Sequence, residues 1–183
     1  RGAADALRPV YVRTRRRDGF VALPLNPWAA HSPAETVASA MRLAGAVRCE
    51  NVLMALPATP AGLAALTELT TAGVSTAITH VYSPLAYRAV AEARLTGLER
   101  RAAAGLPLQG VAGVAALPLG RLDAAVRQSI EARLRGMADS AAAAELLGLA
   151  DEAAPAVARC AHAAMESLHA GPRWSPLAAM GAT

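Results

Sequence analysis

Residues 51–60, Asn-Val-Leu-Met-Ala-Leu-Pro-Ala-Thr-Pro, combine a strand with the start of a helix. The first part is a short apolar run, which is typical of a strand covered on both faces. Thr59 then offers a side-chain oxygen to the free N–H groups of a helix, and Pro60 suits the first helical position. Gly73 is placed to end that helix. The segment therefore predicts a strand over residues 51–56 and a helix that stops at Gly73.

The same order of strand, cap and helix recurs on both sides of this segment. The preceding helix begins with the capping box Ser32-Pro33-Ala34-Glu35 and is predicted to extend to about Val47. The following one begins at Ser83-Pro84 and is predicted to end at Gly105. Beyond Arg121 the sequence predicts helix almost throughout. The predicted strands are residues 19–25 (GFVALPL), 51–56 (NVLMAL), 74–81 (VSTAITHV) and 111–117 (VAGVAAL).

Strands that alternate with helices indicate a parallel sheet with right-handed crossovers. Three consecutive connections carry a capping residue and a proline just after the strand, which favours a (β/α) barrel wall over a doubly wound sheet. No Gly-rich phosphate loop follows any of these strands. We therefore predict an α/β fold with a (β/α) barrel-type parallel sheet of four βα units, a half or partial TIM barrel, and a helical C-terminal segment. Residues 1–183 are expected to form a single domain.

The composition excludes disorder and gives little support to nucleic-acid binding. Apolar residues make up 54% of the chain and aromatic residues 3%, so the core must consist mainly of Ala, Leu and Val. The 18 basic residues are all arginines, and the net charge is +4. Phosphate tracking needs several basic contacts across one face. The only dense basic run is residues 13–17, which we interpret as a solvated turn, and we predict no nucleic-acid partner.

Cysteine and histidine positions give no sign of a metal or cofactor. Cys49 and Cys160 have no paired spacing, which indicates free thiols in a reducing compartment. The sequence has no signal-peptide pattern and no apolar run of about 18 residues, so we expect a soluble cytoplasmic protein without membrane contact. Because the first residue is Arg1 and not methionine, we expect the chain to be part of something longer. The scattered histidines are His31, His80, His162 and His169.

Residues 51–63 (NVLMALPATPAGL) resemble the transaldolase signature N-V-x-I-K-I-P-A-T-x-x-G-L. The likeness covers nearly the whole chain and is to bacterial, actinobacterial-like transaldolases. It implies a TIM barrel of which this chain corresponds to the third through sixth strands. The other stretches that agree with the family in order and spacing are residues 7–11 (LRPVY), 30–32 (AHS), 79–83 (THVYS), 87–105 (YRAVAEARLTGLERRAAAG) and 121–123 (RLD).

Transaldolases move a dihydroxyacetone unit between sugar phosphates and hold it as a Schiff base on a barrel lysine. Such a reaction needs a reactive amine and a nearby carboxylate to transfer protons. The resemblance puts Ala55 at the lysine position, Pro24 at the carboxylate, Ala77 at an asparagine and Ala116 at a serine. Because the sequence contains no lysine, the resemblance implies that Schiff-base chemistry is lost. Two explanations of these four substitutions remain open. One is sequence drift in a chain that must still fold, and the other is reshaping of the site into an apolar pocket.

Thr79 and Arg121 match inward-facing and phosphate-side residues of the family. The resemblance therefore implies a sugar-phosphate ligand, and a guanidinium suits a bidentate contact with phosphate. The alternative for Arg121 is a structural cap on Asp123 or on a helix. Asn26 and Trp28 follow the first strand and are further binding candidates; Trp28 either covers an apolar ligand or is packed.

The catalytic residue is not identified by the sequence. His31, Thr79 and Tyr82 are the candidates, because the carboxyl ends of barrel strands are where active sites gather. Strand alternation predicts that Thr79 faces inward and that His80 points outward as a packing residue.

Two functions follow from these observations. The first is a degenerate transaldolase homologue that retains binding or assembly. The alternative is a repurposed enzyme with an apolar barrel-mouth pocket, which takes a small apolar ligand and catalyses a lysine-independent cyclisation, isomerisation or aldol-type step in specialised metabolism. The mouth would be bordered by Trp28, His31, Thr79, Tyr82 and Arg121.

A half barrel has two unpaired strand edges, which favour association. Two copies joined edge to edge would close a ring of about eight strands. We therefore predict a homodimer in which the fourth strand pairs with the first strand of the partner. A companion chain, or the remainder of a longer reading frame, is the other source of strands. Pro24 removes one backbone donor from the first strand and weakens such pairing.

Overall fold

The computed structural model describes residues 1–135 and 140–183. These residues form a parallel sheet, eight α-helices and one 3₁₀ helix. The strands are β1 (Val21–Pro24), β2 (Val52–Pro57), β3 (Thr76–Thr79) and β4 (Gly113–Ala115). The helices are α1 (Gly2–Arg13), the 3₁₀ helix (Pro27–His31), α2 (Pro33–Val47), α3 (Pro60–Ala72), α4 (Pro84–Ala103), α5 (Leu119–Leu134), α6 (Ser140–Leu149), α7 (Ala153–His169) and α8 (Trp174–Ala179).

The sheet has the strand order β1-β2-β3-β4, and all three pairings are parallel. Helices α2, α3 and α4 connect successive strands, as in a barrel wall. This confirms the predicted α/β fold with four parallel strands of a partial TIM-barrel type. Among the residues described, β1 and β4 are the two edges of the sheet.

The predicted caps are confirmed at each of the three connecting helices. The Ser32 hydroxyl accepts from the Glu35 N–H at 3.3 Å, Thr59 from Gly62 at 3.1 Å, and Ser83 from Ala86 at 3.1 Å. A proline occupies the first turn in every case. These local signals fix where each helix begins after its strand, and thereby which residues lie at the carboxyl edge of the sheet.

One face of the sheet is covered by α2, α3 and α4. Its side chains alternate along the strands, and the most buried are Met54, Leu56 and Ile78, which pack against Leu66 and Leu69 of α3. Each is at most 2% exposed. This is the hydrophobic core that holds the sheet to its helices.

Helices α3 and α4 pack closely at Gly97. A Cβ atom at this position would lie 2.6 Å from the Thr70 Cβ and 2.8 Å from the Thr67 carbonyl oxygen. Thr67 and Thr71 also donate hydroxyl hydrogen bonds to carbonyls of α4, at 3.0 and 3.3 Å. The close approach therefore depends on the absence of a side chain at Gly97.

Helix α1 was not predicted, because Pro9 lies inside it and only Ala4 and Tyr11 are buried. It is held by tertiary contact: the buried Asn51 amide donates to the Ala4 carbonyl at 2.8 Å and to the Gly19 carbonyl at 3.0 Å. After α1 the basic run forms a turn, as predicted, in which Arg15 and Arg16 have positive φ.

Strands β1, β3 and β4 are shorter than predicted at both ends. Val74 donates its N–H to the Leu69 carbonyl and so still closes the end of α3, while His80 leaves extended backbone with a φ of 62°. A second core cluster joins α4 to the C-terminal helices through Leu95, Leu98 and Leu177. Within residues 1–135 and 140–183, none of the helices has the length and hydropathy needed to span a bilayer.

Candidate functional site

The sheet face opposite the helices carries a row made of one residue from each strand. Pro24 is in register with Ala55, Ala55 with Ala77, and Ala77 with Val114. Ala77 is buried, Ala55 is half-buried, and Pro24 and Val114 are exposed. The row therefore offers neither an amine nor a carboxylate. It contains three of the four positions at which the resemblance puts catalytic groups.

The fourth position, Ala116, belongs to the next row towards the carboxyl edge. Its N–H donates to the Ile78 carbonyl at 2.7 Å, and its carbonyl accepts from Val81 at 3.4 Å, which sets Ala116 beside Thr79. Pro57 is the register partner of Thr79 on the other side. Thr79 is therefore the polar member of this row.

Thr79 and His80 form a hydrogen-bonded pair at the end of β3. The Thr79 Oγ1 lies 3.2 Å from the Leu56 carbonyl oxygen, to which it donates, and 2.8 Å from the His80 Nδ1. A hydroxyl has one proton. Because the Thr79 hydroxyl donates this proton to the Leu56 carbonyl, its oxygen must accept from the His80 Nδ1–H. The Nε2 of a neutral His80 then carries no proton and can act as an acceptor.

Strand alternation predicted that His80 points outward and packs against the helices. This prediction is wrong. The φ of 62° at His80 ends the extended backbone, so the alternation rule no longer holds there, and the side chain is exposed. The His80 ring centroid lies 6.2 Å from that of Tyr82, and Tyr82 is 38% exposed. Thr79, His80 and Tyr82 thus form one polar group at the carboxyl edge of β3.

Arg121 lies in the first turn of α5, just beyond β4. Its side chain is exposed, and within the described ranges it forms no ion pair or hydrogen bond. The expected alternative, a cap on Asp123, is not formed, and the Asp123 Oδ1 is buried without a hydrogen bond to described residues. Helix α5 has no side-chain cap. A guanidinium beside an uncapped helix N-terminus suits an anion.

Asn26 and Trp28 follow β1 rather than β3 or β4. The Asn26 Oδ1 accepts from the Trp28 N–H at 3.1 Å and caps the 3₁₀ helix. Both residues line a cavity of about 250 Å³ together with Ser39 and Arg42 of α2. Trp28 is 85% exposed, so it is not packed, and His31 at the end of the 3₁₀ helix is also exposed. The five predicted mouth residues therefore lie at or beyond the carboxyl ends of three different strands, β1, β3 and β4.

The family is shown by comparison with known proteins. A model of the family Transaldolase/Fructose-6-phosphate aldolase matches residues 1–170. Transaldolase 1 of Streptomyces avermitilis is 43% identical over 182 residues, which cover 100% of this chain and 46% of that protein. Transaldolase 1 of Streptomyces coelicolor is 42% identical over 97% of this chain and 45% of its own length. The transaldolase of Trichodesmium erythraeum is 32% identical over 100% of this chain and 48% of its own length.

The chain thus spans about half the length of the curated relatives it matches. The match extends from α1 through the whole of α7 and includes every strand of the described sheet. The parallel sheet and its connecting helices agree with the fold that these sequence matches imply. The chain belongs to the Transaldolase/Fructose-6-phosphate aldolase family.

Proposed function

We propose that this chain is a degenerate transaldolase homologue, a pseudoenzyme that has lost Schiff-base aldol transfer and acts through binding or assembly. The observation that carries the proposal is the row of register partners Pro24, Ala55 and Ala77. The resemblance assigns a carboxylate, the lysine and an asparagine to these positions. A Schiff base needs an amine and a group that moves protons, and none of the three side chains supplies either.

The ligand we assign to the retained part of the site is a sugar phosphate. Support comes from Arg121, which is exposed, without a partner among the residues described, and located in the uncapped first turn of α5. A planar guanidinium binds phosphate in a bidentate manner, and the helix dipole adds to the attraction. Thr79 supplies a hydroxyl at the neighbouring strand end.

Assembly is the second part of this proposal. The outer edges of β1 and β4 have no strand beside them among residues 1–135 and 140–183. We propose a homodimer in which β4 pairs with β1 of the partner, with a companion chain or further segments of the same protein as the other sources of strands. Residues 1–183 would then act as one barrel-type domain, and we assign it to the cytoplasm.

A second candidate function is a lysine-independent enzyme. The Thr79–His80 pair favours it, because the hydrogen bond at Nδ1 leaves Nε2 of an exposed histidine free to accept a proton. The neighbouring row of Pro24, Ala55 and Ala77 is apolar and suits a small apolar substrate. Proton transfer by His80 would support an isomerisation, a cyclisation or an aldol-type step.

Thermal-shift measurements with fructose 6-phosphate and with fructose test the first function. We expect fructose 6-phosphate, but not fructose, to raise the melting temperature of the chain. Arg121→Gln should abolish this rise. Arg133→Gln, at the other end of the same helix, is the matched control and should keep it. An unchanged shift in Arg121→Gln, or none in the unmodified chain, would refute phosphate binding at this site. A shift with apolar compounds that is lost in His80→Gln would support the second function.

A further inference from the structure

The loops that precede strands β2, β3 and β4 enclose, together with the end of α1, a cavity of about 320 Å³. Its wall includes Glu50 before β2, Ser75 before β3 and Gly110 before β4, with Tyr11 of α1 and Arg16 of the following turn. The volume is within the range of small-molecule sites. The cavity lies at the amino edge of the sheet, whereas the sugar-phosphate site that we propose lies at the carboxyl edge.

Tyr11 brings a phenol without a partner to this cavity. The residue is 5% exposed, and its ring is held edge-to-face against Phe20, with the ring centroids 5.2 Å apart. In the part of the chain that the structure describes, its hydroxyl forms no hydrogen bond and, unlike the Thr70 Oγ1, is not sealed from solvent. Burial raises the pKa of Tyr11, while the charge of Arg16 lowers it and that of Glu50 raises it. Since a buried tyrosine hydroxyl usually has a partner, this one is available to a ligand in the cavity.

Arg16 and Glu50 place opposite charges side by side in the same wall. The Arg16 Nη2 lies 3.6 Å from the Glu50 Oε2, which is an ion pair but too long for a hydrogen bond. The two side chains are 49% and 63% exposed, and such a surface pair contributes at most about 1 kcal/mol. The Arg16 Nη1 reaches Gly110, where a Cβ would lie 3.3 Å from it. Both charges can therefore bind a ligand with little loss of free energy.

We propose that this cavity binds a small aliphatic α-amino acid. The carboxylate would accept from the Arg16 guanidinium and the Tyr11 hydroxyl, and the ammonium would donate to the Glu50 carboxylate. Because the two protein charges are 3.6 Å apart, the two ligand charges must also be close together, as they are in an α-amino acid. Val47 and Val74 supply an apolar wall for the aliphatic side chain.

Calorimetric titration of the intact chain at pH 7 with L-valine, isovalerate and isobutylamine tests the proposal. Isovalerate keeps the carboxylate and the aliphatic body of valine, and isobutylamine keeps the ammonium and that body. L-valine should bind, and each comparison compound should bind at least ~10-fold more weakly, since it leaves one protein charge without a partner. No binding of L-valine, or equal binding of either comparison compound, would overturn the proposal.

Two arginines of the turn after α1 give a matched pair of variants. Arg15 and Arg16 both have positive φ and are exposed, but of the two it is Arg16 that lines the cavity. Arg16→Gln should weaken L-valine binding at least ~10-fold, and Arg15→Gln should leave it unchanged. Tyr11→Phe keeps the ring against Phe20 and should weaken binding at least ~3-fold through loss of the hydroxyl. Full affinity in Arg16→Gln would refute the site.

The thiols of Cys49 and Cys160 locate the bound ligand without any substitution. Cys49 lines this cavity, whereas Cys160 is exposed on α7. With L-valine at about ten times its dissociation constant, mass action predicts a roughly 10-fold slower reaction of Cys49 with iodoacetamide and no change at Cys160. An unslowed reaction of Cys49, under conditions where L-valine binds, would exclude this cavity as the binding site.

Discussion

Ala55 of β2 and Ala77 of β3 are register partners on adjacent parallel strands, on the sheet face that the helices leave uncovered. In the family that this chain resembles, these positions hold a lysine and an asparagine. On the other face of the same two strands, Met54 and Leu56 of β2 and Ile78 of β3 are at most 2% exposed within the core. One face thus carries a close-packed core, while the row on the other face carries methyl groups where the resemblance implies polar groups. That difference suits a chain that must fold but does not use the old chemistry.

The close contact of α3 with α4 makes a first prediction about stability. Gly97→Ala should lower the free energy of unfolding by about 2–3 kcal/mol, because the new methyl group meets the Thr67 carbonyl and the Thr70 Cβ, which cannot rotate away. Urea denaturation measures the change.

Gly45 of α2 is the matched control. A Cβ there has nothing within 4 Å, and the residue is exposed. Gly45→Ala should raise the free energy of unfolding by about 0.5–1 kcal/mol, because alanine loses less backbone entropy in a helix. Similar effects of the two substitutions would contradict the packing described.

The left-handed backbone at His80 makes a second prediction. His80→Gly should be more stable than His80→Ala by about 1 kcal/mol, because only glycine adopts a φ of 62° without strain and both variants lose the bond to Thr79. Thermal and urea denaturation of the two variants give the difference. An alanine variant as stable as the glycine variant would mean that residue 80 is not left-handed in solution.

Much of the fold could be predicted because its signals are local. Ser32, Thr59 and Ser83 each stand one residue before a proline, and each caps a helix as predicted. The parallel arrangement of the four strands was also predicted, and the structure adds the register that pairs Pro24 with Ala55.

The features that the sequence did not predict depend on distant parts of the chain. Nothing local indicates that His80 is left-handed, and this one dihedral angle brings its ring to Thr79. Arg94 is separated by β4 and all of α5 to α8 from the Thr183 oxygen to which it donates, so this contact forms only when the C-terminal helices pack on α4. Helix α1 depends in the same way on Asn51, which bonds to Ala4 across more than 40 residues.

The open edge of β1 makes a third prediction. The Val21 N–H donates to Asn51 in the direction of β2, so strand alternation directs the nitrogen of Pro24 to the open edge. Pro24→Thr should add a donor there and strengthen association about 3- to 10-fold, as expected for one hydrogen bond. Sedimentation velocity over a concentration series measures the dissociation constant.

Ala22→Thr is the control for this experiment, since Ala22 is on the same face of β1 and its backbone N–H is already present. It should associate as the unmodified chain does. A chain that remains monomeric, with or without Pro24→Thr, would refute the homodimer.

Restoring the amine at Ala55 tests the proposal that Schiff-base chemistry was lost at several positions together. The measurement is borohydride trapping with fructose 6-phosphate, combined with an assay of transfer to an aldose phosphate. Ala55→Lys should give no more turnover than Ala77→Lys, its neighbour in the same row. Pro24→Glu combined with Ala55→Lys should form the trapped adduct at least ~10-fold faster than Ala55→Lys alone, because a carboxylate then moves protons. Turnover by Ala55→Lys alone, above that of Ala77→Lys, would show that the lysine was the only catalytic group missing and would refute a loss at several positions.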